Sequence, residues 1–142
     1  MNEMSISLKV MIDNKAPEII ALVNKFADQH YKTIIAQREV KKQFVDLLEA
    51  SAQICCIDEL KLYIKYKSSK EGTRSLWGNL ATPLCITIDE LIDNVASDIA
   101  KDEQFAKDKT IKAETINIEV LKRFCGYLMW REHADVSEKG AR

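Results

Sequence analysis

Between residues 61 and 74, five basic side chains, Lys61, Lys65, Lys67, Lys70 and Arg74, stand against a single acid, Glu71. The local sum is +4 in a chain whose total is −1. Lysine and arginine at this density can neutralise successive phosphates of a nucleic-acid backbone. Tyr63, Tyr66 and Trp77 fall in or beside the same stretch, and an aromatic face can stack on an unpaired base. Arg38, Lys41 and Lys42 form a smaller basic cluster upstream. The ordinary alternative for both clusters is a solvated lysine face whose tyrosines cap a core. Trp77, large and beside Gly78, reads as a core plug before it reads as a stacking platform.

Other chemistries find less footing. The four cysteines, Cys55, Cys56, Cys85 and Cys125, contain no C-x-x-C pair, and histidine is scarce, so zinc-ligand spacing is not met. These cysteines are expected to be small buried hydrophobes in a reducing cytosol. Asp89, Asp93, Asp98 and Asp102 point the same way on a helix in pairs, yet the glycine-bearing loop and terminal bidentate acid of an EF-hand are missing. A solvated acidic face is the expectation there. The chain has no glycine-rich phosphate loop and no nucleophile motif. His30 and His133 have no serine or cysteine close by in sequence. The reading is a non-enzyme without a cofactor, against the rival of a site assembled only in three dimensions.

The elements that must hold these residues read as helices. Asp58 and Glu59 suit the first turn of a helix that begins near residue 57, at the positive end of its dipole, and Ser68, Ser69 and Gly72 end it near Lys70. Pro17 opens a helix over 17–30, with Ile19, Ile20, Val23, Phe26 and Ala27 at helical spacing. A second helix is expected over 33–55, striped by Val40, Phe44, Leu47 and Leu48. Thr87-Ile88-Asp89-Glu90 has the form of a capping box and predicts a helix over 88–101. Asn117 can cap a last helix carrying Val120, Leu121, Phe124, Cys125, Leu128 and Met129, and Gly126 within it marks a close helix crossing. Ile6, Leu8, Val10 and Ile12 alternate, which predicts a short strand or extended arm.

Only four glycines and two prolines occur in 142 residues, too few turn signals for a many-stranded β fold. The expected fold is therefore all-α, a compact bundle of about five helices in one domain over 1–142, with an extended N-terminal arm over 1–15 and a disordered tail over 136–142. No basic start followed by a long apolar core is seen, and no apolar run approaches the roughly 20 residues of a membrane span. The expected place is the cytoplasm, with no membrane partner. Charge is uneven: residues 30–80 sum to +3 and residues 86–119 to −5. Such polarity favours contact between copies or with a charged neighbour.

Two pieces carry a family resemblance. ELKLYIKYKSSKEG (59–72) resembles the middle Leu-Lys-rich, Tyr-bearing helix of the small subunits of type III CRISPR effector complexes, and EVLKRFCGYLMWREHA (119–134) resembles their aromatic C-terminal helix. The pieces cover 30 of 142 residues. Family members often place an arginine after the middle helix, where this chain has Lys70 and then Arg74. The resemblance implies a non-catalytic antiviral subunit that stacks with other subunits, copies of itself among them, along guide RNA and target strand. Arg38, Lys41, Lys42, Lys61, Lys65, Lys67, Lys70 and Arg74 would then touch the backbone without reading base edges. The alternative class is a protein-only interaction module, such as an immunity protein or antitoxin, covering a basic partner with the acidic face at Asp89, Asp93, Asp98 and Asp102.

Overall fold

Backbone N–H and C=O groups need partners, and a lone strand in this chain would leave one edge without any. The computed structural model, which describes residues 3–37, 39–71, 76–102 and 112–141, resolves the N-terminal segment as a helix instead, α1 (Glu3–Asn14). The alternating pattern contains a hidden spacing of four. Leu8 and Ile12 lie on one helical face and are buried, while Val10 is 49% exposed. The expected arm is thus corrected to an amphipathic helix.

α2 (Ala16–Gln29) starts one residue before Pro17, close to its predicted bounds, and buries Ile19, Val23, Phe26 and Ala27. The helix expected over 33–55 is broken in two, α3 (Tyr31–Ile35) and α4 (Val40–Ser51). The reason is the phase of the apolar residues. In one continuous helix Val40 would stand about 120° round from Ile34, so both could not face one core. Glu39 absorbs the change of direction with φ 58°, in the left-handed region.

α5 (Ile57–Glu71) matches its prediction and buries Ile57, Leu60 and Ile64. The first N–H of the helix is satisfied from outside it, and a side chain of its first turn takes a donor from the segment before it. The Ile57 N–H donates to Glu114 Oε1 at 2.7 Å, and the Cys55 N–H donates to Glu59 Oε1 at 3.0 Å. α6 (Leu76–Leu91) runs on through a π turn (Ile92–Ala96) and a last α turn (Ser97–Ala100). The expected helix start at Thr87 is therefore absent. Thr87 sits mid-helix, and its hydroxyl donates back to the Pro83 carbonyl at 3.0 Å. The magnitudes explain the outcome. A cap is worth about 1 kcal/mol, whereas each large apolar side chain buried is worth about 1.5–3 kcal/mol. Leu76, Trp77, Leu80, Leu84, Ile88, Leu91, Val95 and Ile99 are all buried along this rod.

α7 (Ala113–Ala141) is 29 residues long and begins before Asn117. It continues helical to Ala141 where a disordered tail was expected, and Val136 packs against the core. This helix is the spine of the molecule. α4 and α2 rest mainly on α7, and α5 rests mainly on α6. Arg131 ties the spine to α2: its guanidinium donates to Asn24 Oδ1 at 3.0 Å, Asp28 Oδ1 at 2.7 Å and Asp135 Oδ2 at 2.8 Å.

Counting the rod 76–100 as one, the described residues form seven helices and no strand, rather than about five helices. The all-α class holds. Trp77 is the core plug, 1% exposed, tilted on Phe44 and donating from Nε1 to Gln43 Oε1 at 2.9 Å. Gly126 does not mark a close crossing, because a Cβ there would meet nothing within 4 Å. Of the cysteines only Cys125 is buried, and burial pushes its thiol up to about 12. Cys55 is exposed, and Cys56 and Cys85 are half-buried, at helix ends and seams where the apolar run around them is not enclosed. Among the described residues no helix is long and apolar enough to cross a membrane.

Candidate nucleic-acid interface

α5 leaves one side to solvent because its buried residues, Ile57, Leu60 and Ile64, lie on the opposite face, and the helix packs mainly on α6. Asp58 and Glu59 lie exposed at the N-terminal end of that open side, and Lys65, Tyr66, Ser69 and Lys70 toward the C-terminal end. Acid therefore lies at the positive end of the helix dipole and base at the negative end. Lys70 Nζ stands 6.0 Å from the centroid of the Tyr66 ring. Tyr66 is 57% exposed, so its second face can accept a planar group. The arrangement is a short strip with two ammonium groups and one aromatic face.

The eight residues assigned to backbone contact do not all share this strip. Lys61 is half-buried and ion-paired with Asp89 of α6; that hydrogen bond raises its pKa despite the opposing cost of burial. A carboxylate already answers its charge, so the structure removes Lys61 from the open set. The cause is helix phase: Lys61 lies beside the seam with α6, and Leu60 and Ile64 turn it there. Lys67 is half-buried. Lys41 and Lys42 are exposed on α4, a helix that packs mainly on α7 and only slightly on α5. The Lys41 carbonyl oxygen lies 3.4 Å from His133 Nε2, which fixes the start of α4 beside the C-terminal part of α7. Arg38 and Arg74 lie outside the described residues. Of the three aromatics offered for stacking, Trp77 is enclosed, Tyr63 is half-buried, and Tyr66 is open.

Part of the acidic region is answered by lysines of the same molecule. Besides Asp89 with Lys61, Asp98 pairs with Lys15 at 3.1 Å and Glu90 with Lys25 at 3.4 Å. A narrow polar cleft of about 260 Å³ lies where α5 begins, lined by Asp58, Lys61, Asp89, Asp93 and Glu114 among others. Among the described residues no group of three or more histidines, cysteines and carboxylates could hold a metal ion.

Two features were not read from the sequence. Glu132 is fully buried on α7 with both carboxylate oxygens lacking a hydrogen-bond partner. Burial, with Asp135 adding to it and Arg131 opposing, pushes its pKa up to about 8. The signal was available: Glu132 follows Leu128 by four residues and so continues the buried face. The second is a groove of about 680 Å³ between α1, α4 and α7, which needed α1 to be a helix. No family model, curated protein or solved structure matches the chain.

Proposed function

We propose that this protein is a non-catalytic small subunit of an RNA-guided antiviral ribonucleoprotein of the type III CRISPR kind, holding guide or target strand by its backbone. The observation that carries the reading is the solvent-facing side of α5, where Lys65, Tyr66 and Lys70 are exposed and Lys70 Nζ lies 6.0 Å from the Tyr66 ring centroid. Ammonium groups on such a side meet phosphates, and the tyrosine takes an unpaired base by stacking, which every base permits. Binding is then tolerant of sequence and steeply dependent on salt. Arg38, Lys41, Lys42 and Arg74 extend the contact in this proposal, while Lys61 serves the fold. Leu62, 68% exposed and one turn before Tyr66, is the proposed contact for a neighbouring subunit or a second copy.

The protein-only alternative rests on the acidic face, and that face is less available than its composition suggests. Asp89 and Asp98 already hold lysines of the same chain.

The test is retention of single-stranded RNA on a filter at two salt concentrations. Wild type is expected to retain RNA of unrelated sequences at low salt and to release it as salt rises. Each lysine removed lowers the slope of log affinity on log salt by about 0.7. Lys65→Glu with Lys70→Glu abolishes retention, whereas Lys61→Met leaves it unchanged. Retention by the double reversal equal to wild type, or no retention by wild type at low salt, overturns the proposal.

A further inference from the structure

We infer that the groove between α1, α4 and α7 binds a small monoanionic amphiphile, of which a medium-chain carboxylate is the simplest case. Its volume, about 680 Å³, falls in the range of about 300–1,000 Å³ typical of small-molecule sites. Leu8 and Ile12 of α1, Leu48 of α4 and Met129 of α7 give it apolar walls. Gly126 opens the floor, since a Cβ at that position would meet nothing within 4 Å. An apolar chain can therefore lie along α7 where any larger residue would stand in its way.

The rim selects the head group. Lys9 and Arg123 both line the groove and share one carboxylate, that of Asp13, at 2.9 and 2.8 Å. Among the described rim residues, two cations on one anion leave a single positive charge in excess. Lys122, also on the rim, is balanced by Glu119 at 3.0 Å. One surplus charge beside an apolar trough suits one anionic head with one apolar tail. An extended acidic partner would need a row of unanswered cations.

The molecule carries its own reporter. Trp130 lines the groove and is 66% exposed, while the other tryptophan, Trp77, is 1% exposed. Titration with decanoate below its micelle concentration is expected to shift tryptophan emission to the blue, saturably. Decanol and decyltrimethylammonium should bind about tenfold more weakly or worse, because their head groups do not answer the surplus charge. Asp13→Asn leaves two cations without their carboxylate and should tighten decanoate by about threefold. Gly126→Leu fills the floor and should abolish binding; leucine is a better helix former than glycine, so circular dichroism should show an intact fold. Trp130→Phe should lose the optical shift but keep the calorimetric heat of binding. An equal response to all three head groups, binding undiminished in Gly126→Leu, weaker binding in Asp13→Asn, or no saturable signal by emission and calorimetry with decanoate overturns the inference. α5 contributes no described residue to the groove, so this result and the RNA result stand or fall separately.

Discussion

α5 and α7 both carry several cations, and the two helices use them in opposite ways. On α7 the arginines reach across seams. Arg131 grips Asp28 of α2 as well as Asp135 of its own helix, and Arg123 grips Asp13 of α1. On α5 the cations are lysines, and Lys61, at the seam with α6, pairs with Asp89. Lys65 and Lys70 are exposed. The planar guanidinium fork fits fixed carboxylates in more than one direction, whereas an ammonium on a flexible stem remains hydrated and available. Positive charge in this molecule therefore has two jobs, clamping helices together on α7 and facing outward on α5.

The largest expected effect probes the clamping region. Glu132 keeps its proton up to about 8 in the fold, while in the unfolded chain it loses it near the ordinary value of 4.5. Between those values the folded state binds more protons than the unfolded one. Stability should therefore fall as pH rises through that window, by up to about 1.4 kcal/mol per pH unit, and level off above it. Glu132→Gln should remove this slope, which urea unfolding at a series of pH values measures. A variant with the wild-type slope would mean that Glu132 is hydrated rather than enclosed.

A smaller effect follows from opening the clamp. Arg131→Met should cost about 2–3 kcal/mol, because it strips charge-assisted bonds and leaves Asp135, itself only 7% exposed, without its partner. Chemical denaturation reads this directly, and a loss below about 0.5 kcal/mol would place Arg131 with ordinary surface residues.

The smallest expected effects separate neighbours on α5. Lys61→Met breaks a partly exposed pair and should cost less than about 1 kcal/mol without altering RNA retention. Lys65→Met should leave stability within about 0.5 kcal/mol of wild type and lower retention. If the two variants behave alike in both measurements, the division of labour along α5 fails.

Helix identity was legible wherever apolar residues recurred at three and four over a long stretch. α2 and α5 appeared close to their predicted bounds for that reason. α1 was misread because alternate residues 6, 8, 10 and 12 satisfy a strand pattern and a helical pair at once. The continuous helix over 33–55 failed at a phase change between Ile34 and Val40 that the polar residues between them concealed. The box at Thr87 was chemically sound as a cap, and a longer buried face overrode it. In the candidate site, the cluster on α5 was visible as composition. Which lysines stay open was not, since Lys61 and Lys65 differ by one helical turn and the answer depends on where Asp89 arrives.

Composition and periodicity alone determined the all-helical class, the scarcity of turns and the concentration of positive charge on one segment. These are local properties: backbone hydrogen bonds in a helix close within a few residues, and apolar spacing needs only its own chain segment to be read. Tertiary packing decided which cations meet carboxylates, which aromatic ring remains in water, and that α1 and α7 leave a trough between them. Each of those outcomes depends on side chains distant in sequence coming within a few ångströms, and no spacing rule along the chain encodes that distance.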